Sequence, residues 1–202
     1  MTQLYLITDS QLLAGRLLPA VEQALIGGAK LIQYRDKSTD TAKRLHEAQQ
    51  LKDLCQCYNV PLIINDDLEL AAQLGLGVHL GQQDGSIALA RQRLGQDAII
   101  GATCHNSLEF AKQAATQGAS YLAFGAFYPS STKPLAQAAD LQTLTQAKQL
   151  FSLPVVAIGG INLDNARPLI DAGADYLAVI SDIFALPTAN ICQQAEAYLR
   201  LF

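Results

Sequence analysis

Short apolar runs alternate with longer stretches of helical composition along the whole chain. The eight runs are rich in Val, Ile and Leu and lie at residues 4–8, 30–35, 61–65, 77–80, 98–103, 121–126, 154–159 and 176–181. The helical stretches lie at residues 16–28, 39–58, 67–74, 86–94, 106–117, 140–151, 162–172 and 189–201. Strand followed by helix, repeated in this way, predicts parallel strands joined by right-handed crossovers.

Eight such units favour a closed (β/α)8 barrel, an α/β fold in which residues 1–202 form a single domain. The run PVVAIG at 154–159 is apolar almost throughout, which is typical of a strand buried on both faces. A flavodoxin-like open sheet is the main alternative, but it needs only about five strands and would leave three runs unused. No linker or change of composition indicates a second domain.

Composition and charge narrow the classes of function. Hydrophobic residues make up 50% of the chain and charged residues 16%, which is enough for a sizeable core. A net charge of -4 and a pI near 5.2 argue against nucleic acid or an anionic membrane as a partner. The first ten residues do not resemble a secretion signal, so we expect a cytoplasmic protein. The four cysteines show no paired CxxC spacing and are expected to be reduced thiols.

The segment QYRDK, residues 33–37, ends the second apolar run. Alternate side chains of an extended chain share a face, so Gln33, Arg35 and Lys37 are predicted to point one way and Tyr34 and Asp36 the other. An amide, a guanidinium fork and an ammonium group on one face suit a phosphorylated ligand. The alternative is a solvated strand end with ordinary surface charges.

Polar residues are concentrated at the carboxyl ends of the predicted strands, where barrels of this kind carry their active sites. In strand order they are Gln33, Arg35 and Lys37; Asn65, Asp66 and Asp67; His79, Gln82 and Asp84; Thr103 and His105; Ser130, Ser131, Thr132 and Lys133; Gly159 and Gly160; and Ile180 and Ser181. We therefore expect these groups to meet at one end of the barrel.

Two of these groups suggest sites for charged ligands. Asp66 and Asp84 could supply oxygen ligands to a Mg²⁺ that otherwise keeps water and phosphate oxygens, although Asp66 could instead cap the next helix. Gly160 and Ser181 follow the last two strands, whose loops often bind phosphate in these barrels, although a glycine pair can also make an ordinary tight turn.

Histidine and nucleophile chemistry receive less support from the sequence. His79 lies inside a buried run, where a hydrogen-bonded structural role is expected, and His105 is the better candidate for a general base. Neither Ser130 nor Cys104 belongs to a recognisable nucleophile arrangement, so a covalent intermediate is not expected.

In order along nearly the whole chain, QYRDK, IIND, HLGQQD, the STK of FYPSSTK, AIGGI and the IS of the eighth strand closely resemble the thiamine-phosphate synthase family. The resemblance implies a (β/α)8 barrel that joins hydroxymethylpyrimidine diphosphate to a thiazole phosphate, carboxylated or not, and releases pyrophosphate. It also implies a need for Mg²⁺, small-molecule phosphorylated substrates, a possible homo-oligomer and a dissociative mechanism through a pyrimidine carbocation.

The resemblance assigns roles to particular residues. The pyrimidine diphosphate would be bound by Gln33, Tyr34, Arg35, Asp36, Lys37, Asn65, Thr103 and Lys133. The thiazole phosphate would be bound by Ser130, Ser131, Thr132, Gly160, Ile180 and Ser181. Asp66 and Asp84 would hold Mg²⁺. Arg35, Lys37, Lys133 and Thr103 would be the catalytic residues.

The chain departs from the family pattern at three positions. Ala126 stands where proline is usual, which is expected to loosen the loop after the sixth strand. Asp67 stands where arginine is common, which would place a third carboxylate near the metal. Thr103 stands where serine is usual, which keeps the hydroxyl but adds a methyl group beside the pyrimidine.

Two other functions remain as alternatives. A thiazole tautomerase shares this barrel and has a catalytic histidine after the fifth strand, at about the position of His105. A non-catalytic barrel that binds a phosphate ligand as a regulator is the second alternative. A tautomerase needs no diphosphate site, and so the cations at the second strand argue against it.

Overall fold

A computed structural model describes residues 2–129 and 139–202 of the chain. In it, eight parallel strands close into a barrel in sequence order, with β8 paired to β1. The strands are β1 (Gln3–Ile7), β2 (Leu31–Tyr34), β3 (Leu62–Asn65), β4 (Gly77–Leu80), β5 (Ile100–His105), β6 (Tyr121–Phe124), β7 (Val155–Ile158) and β8 (Tyr176–Val179). The predicted (β/α)8 barrel is confirmed.

Helices follow the strands on the outside of the barrel. They are α1 (Leu17–Ile26), α2 (Thr41–Cys57), α3 (Leu68–Leu74), α4 (Ile87–Leu94), α5 (Leu108–Thr116), α6 (Leu141–Leu150), α7 (Arg167–Asp171), α8 (Ser181–Phe184) and α9 (Thr188–Leu199). The four-residue α8 was not predicted, because one turn is too short to show a helical period.

Strand side chains divide between two packed regions. Leu4 and Leu6 face outward and join the large core between the strands and the helices. Tyr5 and Ile7 face inward and join a smaller cluster inside the barrel, which also includes Tyr121. This alternation follows from the two-residue period of a strand. The barrel interior therefore contains phenol groups, which need hydrogen-bond partners when they are buried.

Short polar side chains fix where several helices begin. Asp40, Ser86, Ser107 and Asp140 each accept a hydrogen bond from a backbone N–H in the first turn of the helix that follows. Such caps satisfy N–H groups that have no partner within the helix. Among the described helices, none is long and apolar enough to cross a lipid bilayer.

The Arg91 side chain ties α4 to the loops that lead into β5 and β6. Its guanidinium group donates to the carbonyls of Gly95, Ala98 and Gly118 at 2.8–3.0 Å. It also donates to the Ser120 hydroxyl at 2.9 Å. A planar fork with five N–H donors can satisfy all of these acceptors together, and an ammonium group cannot.

We expect Arg91→Lys to lower the free energy of unfolding by about 2 kcal/mol, because partly buried carbonyls lose their donors. Arg93→Lys on the same helix is the matched control, since among the described residues Arg93 makes only an exposed ion pair with Glu69 at 3.3 Å. The control should change stability by less than about 0.5 kcal/mol. Urea unfolding of both variants measures the difference, and equal losses would contradict the assignment.

Candidate active site

The side chains of QYRDK alternate between two faces, as predicted. The Tyr34 hydroxyl donates to Glu47 of α2 at 2.7 Å. Asp36 accepts a hydrogen bond from Lys43 of α2 at 2.7 Å. Both side chains therefore anchor β2 to α2 on the outside of the barrel. Tyr34 also lines a small cavity beside Arg35, and the assignment of Tyr34 and Asp36 to substrate binding stays a prediction.

The other face of the segment points to the barrel interior and its mouth. Gln33 is 2% exposed and donates from Nε2 to the Tyr5 hydroxyl at 2.5 Å. Arg35 forms an ion pair with Asp9 at 3.3 Å, and Lys37 forms one with Asp66. The structure thus brings the two predicted cations to neighbouring places at the carboxyl ends of β1, β2 and β3.

Asp66 and Asp84 come together at the mouth. Asp66 lies directly after β3 with φ 63, a conformation that non-glycine residues seldom adopt. Its carboxylate accepts from the Asn65 amide at 2.7 Å, and Asp84 accepts from the backbone N–H of Gly81 at 3.0 Å. The two carboxyl groups are near enough for the Asp66 charge to act on Asp84. Asp66 and Asp84 therefore lie together at the mouth of the barrel.

The pKa of Asp84 is raised above its ordinary value. Loss of solvent around the carboxyl group is the largest cause, and the charge and hydrogen bond of Asp66 add to it. The Gly81 N–H and the Lys37 charge act in the opposite direction. Two carboxylates held this close repel each other when both are ionised. A bound cation would relieve that repulsion.

These two carboxylates fit Mg²⁺, because hard oxygen ligands are what this ion binds. Within the described residues no group of three or more Asp, Glu, His or Cys side chains could hold a metal. Water and phosphate oxygens would therefore have to complete the coordination, which is the usual arrangement for Mg²⁺ with a diphosphate.

Both carboxylate oxygens of Asp67 have partners on neighbouring helices, α3 and α2. Its Oδ1 accepts from the Leu70 N–H at 2.9 Å and caps α3, and its Oδ2 pairs with Arg44 at 2.7 Å. The helix cap that was considered for Asp66 thus belongs to its neighbour. Asp66 is left free of the helix and directed to the mouth.

His79 has the structural role that its buried position predicted. Its Nδ1 bonds the Tyr121 hydroxyl at 2.7 Å, and its Nε2 bonds the Thr103 hydroxyl at 2.9 Å. Thr103 is half-buried in β5, two residues before the strand ends, and its carbonyl accepts a hydrogen bond from Gln82. The ring of His105 packs on Phe110 of α5 with centroids 6.5 Å apart.

The predicted thiazole-phosphate residues are divided between the described and undescribed parts of the chain. Ser130, Ser131, Thr132 and Lys133 lie outside the described residues. Gly160 follows β7 with φ 62, and a Cβ there would overlap with the carbonyls of Tyr128 and Pro129. Ile180 and Ser181 begin α8 directly after β8. Gly160, Ile180 and Ser181 therefore lie at the same end of the barrel as the acidic pair.

Backbone hydrogen bonds hold the described residues around Ala126, and the loosening of the loop expected from Ala126 stays a prediction. The Phe127 N–H donates to the Ile158 carbonyl at 3.1 Å, and the Tyr128 N–H donates to the Gly159 carbonyl at 3.0 Å. Ala126 itself accepts from the Ala139 N–H at 2.7 Å. These bonds hold residues 126–128 to the end of β7.

Sequence reasoning missed Asp9, Tyr5 and Tyr121. Asp9 accepts from the backbone N–H groups of Gln11 and Leu12 and is thereby fixed beside Arg35. A charged residue two positions past β1 was a signal that could have revealed Asp9. The two tyrosines offered none, since tyrosine is a normal residue in strands.

Two hollows lie at opposite ends of the barrel. A cavity of about 180 Å³ beside Arg35 is lined by Thr8 and Ser10 as well. A larger hollow of about 510 Å³ is lined by Pro61 and Gly77, at the amino ends of the strands. The smaller hollow lies at the end of the barrel that carries Arg35, and this is the end that carries active sites in these barrels.

Comparison with known proteins agrees with this geometry. The family described as thiamine monophosphate synthase matches residues 4–183. A thiamine phosphate pyrophosphorylase from Pyrococcus furiosus is 34% identical over 98% of this chain and 94% of its own, with a TM-score of 0.88. The chain belongs to the thiamine monophosphate synthase family. The predicted assignment to this class of enzyme is confirmed.

More distant structures share the fold alone. A thiamine phosphate pyrophosphorylase from Bacteroides thetaiotaomicron is 17% identical, with a TM-score of 0.68 over 99% of this chain and 97% of its own. A geranylgeranylglyceryl phosphate synthase from Thermoplasma acidophilum, in complex with sn-glycerol-1-phosphate, is 14% identical with a TM-score of 0.68, over 99% of this chain and 92% of its own.

The raised pKa of Asp84 predicts a pH dependence of stability in metal-free protein. A carboxyl group with a raised pKa in the folded state contributes stability at acid pH, and that contribution is lost as the pH rises through the folded-state pKa. Asp84→Asn should remove this loss, so the stability difference between variant and wild type should shift in favour of the variant as the pH rises. Thermal unfolding in EDTA from acid to neutral pH measures it. A difference independent of pH would contradict it.

Proposed function

We propose that this enzyme condenses an aminopyrimidine methyl diphosphate with a thiazole phosphate to give thiamine phosphate and pyrophosphate. The observation that carries the proposal is the convergence of Asp66 and Asp84 beside Lys37 and Arg35 at the carboxyl ends of β2, β3 and β4. Family membership supports the reaction class. The local charges support the binding of Mg²⁺ and of a diphosphate substrate.

The bond that breaks joins the pyrimidine methylene carbon to a diphosphate oxygen. Negative charge grows on the departing diphosphate, and Arg35 and Lys37 would bind those oxygens with charge-assisted hydrogen bonds. Lys133, outside the described residues, is proposed to add a third positive charge. When Mg²⁺ is bound by Asp66 and Asp84, it supplies further neutralisation of the diphosphate.

The bond that forms joins the same methylene carbon to the thiazole nitrogen through the nitrogen lone pair. The thiazole nitrogen carries no proton, so no base is needed to remove one. In a dissociative reaction the pyrimidine is briefly cationic and must be kept from water. Ile7 and Tyr5, buried below the mouth, would supply that dry surface.

The thiazole phosphate is proposed to bind across the barrel from the diphosphate. Gly160 and Ser181 lie after β7 and β8, where backbone N–H groups and a hydroxyl can approach phosphate oxygens. Ile180 would border the same subsite, together with Ser130, Ser131 and Thr132. The two substrates would thus approach each other over the barrel axis.

A single assay tests the proposal against its alternatives. Both phosphorylated substrates with Mg²⁺ should give thiamine phosphate and pyrophosphate, and EDTA should abolish the product because Asp66 and Asp84 need the cation. Product is measured by chromatography and pyrophosphate by a coupled assay. Exchange of the thiazole tautomer alone would favour the tautomerase, and binding without turnover would favour the regulator.

Two variants separate leaving-group stabilisation from base catalysis. Arg35→Gln should lower kcat by at least about a hundredfold, a typical loss for one preorganised charge. His105→Ala should stay within about tenfold of wild type, since base catalysis is typically worth more than that. Arg93→Gln, remote on α4, is the control for loss of an arginine. A larger loss of steady-state rate in His105→Ala than in Arg35→Gln would overturn the base-free scheme.

A further inference from the structure

A continuous chain of hydrogen bonds crosses the barrel interior from β2 to β5. Gln33 donates to the Tyr5 hydroxyl at 2.5 Å, and the Tyr5 and Tyr121 hydroxyls lie 2.9 Å apart. The Tyr121 hydroxyl lies 2.7 Å from His79 Nδ1, and His79 Nε2 lies 2.9 Å from the Thr103 hydroxyl. The family resemblance assigns both ends of this chain, Gln33 and Thr103, to the binding of the pyrimidine.

The three middle members are buried and held in place. Tyr5 is 1% exposed, Tyr121 4% and His79 9%. The His79 and Tyr121 rings stack with centroids 5.6 Å apart and planes 20° apart. Gly101 pairs with both residues in the sheet, and a Cβ there would overlap with the Tyr121 hydroxyl and with His79 Nδ1. The absence of a side chain at Gly101 is what lets His79 and Tyr121 meet.

The direction of the hydrogen bonds follows from the amide at one end. The Gln33 nitrogen can only donate, so the Tyr5 oxygen accepts and the Tyr5 proton goes to Tyr121. Burial raises the pKa of both tyrosines, so each keeps its one proton. The Tyr121 proton then goes to His79 Nδ1, which leaves the His79 proton on Nε2.

Thr103 receives the last hydrogen bond of the chain. Its oxygen accepts from His79 Nε2–H, so its own hydroxyl proton is left to point to a ligand. At the other end the Gln33 amide oxygen has no donor among the described residues. If the Gln33 amide turned over, every bond would reverse, with Gln33 as donor and Thr103 as acceptor toward the ligand.

We propose that Tyr5, Tyr121 and His79 are positioning residues that fix Gln33 as an acceptor and Thr103 as a donor, and so select an aminopyrimidine over its oxo analogue. This inference rests on the proposed function. An aminopyrimidine offers an amino donor and ring-nitrogen acceptors. In the oxo analogue the exocyclic oxygen accepts and the adjacent ring nitrogen carries a proton, so the pattern is reversed.

The first test reads the tautomer directly. Two-bond ¹H–¹⁵N spectra of histidine-labelled protein, with His79 assigned from a His79→Gln variant, should show the neutral Nε2–H tautomer in the free protein. An Nδ1–H tautomer or a histidine cation would overturn the proposed direction. This measurement needs neither substrate nor turnover.

The second test measures selectivity by calorimetry in Mg²⁺, without the thiazole substrate. Wild type should bind the aminopyrimidine diphosphate at least about a hundredfold more tightly than its 4-oxo analogue. In Tyr121→Phe the Tyr5 proton loses its acceptor and can turn to the Gln33 oxygen, so the preference should fall at least about tenfold. Tyr5→Phe should act in the same direction if Tyr121→Phe fails to fold.

Tyr176→Phe is the matched control, because Tyr176 packs on the same interior cluster but forms none of the bonds in the chain. It should keep the wild-type preference. Equal selectivity in Tyr121→Phe and wild type would overturn the inference and leave the proposed function intact. Selective binding without turnover would overturn the proposed function and leave the inference intact. Failure to bind either pyrimidine would overturn both.

Discussion

The closure of the parallel sheet is the constraint on which the site depends. Pairing of β8 with β1, in a register that sets Leu6 beside Val179, places all eight carboxyl ends on one rim. The strands are only four to six residues long, so each polar residue just past a strand remains close to the barrel axis. Groups far apart in sequence, such as Gln33 and Ser181, are therefore brought to the same rim.

Two cations at this rim are paired with carboxylates before any substrate binds. Arg35 is held by Asp9, and Lys37 is held by Asp66, so neither cation needs to find its place when a diphosphate arrives. Preorganised charges of this kind cost little reorganisation during reaction. The pKa of Asp84 is raised in the same place, first because its carboxyl group loses solvent and then because Asp66 lies beside it.

The fold and the two faces of QYRDK could be predicted because both follow from simple periods. Strand-helix alternation predicts the barrel, and the two-residue period separates Gln33 from Tyr34. The sequence could not show which of Asp66 and Asp67 caps α3. The answer depends on a positive φ at Asp66, which places the helix cap one residue later. The hydrogen-bond chain through Tyr5 and Tyr121 could not be predicted either, since it depends on the register of strands far apart in sequence.

Gly101 shows how a small change below the site can reach the ligand. It touches no proposed substrate group, yet the gap it leaves is what allows His79 and Tyr121 to meet. An alanine at this position would force those rings apart while every residue at the rim stayed unchanged. Divergence in ligand choice among such barrels can therefore begin inside the barrel, at positions below the rim that a comparison of rim residues would overlook.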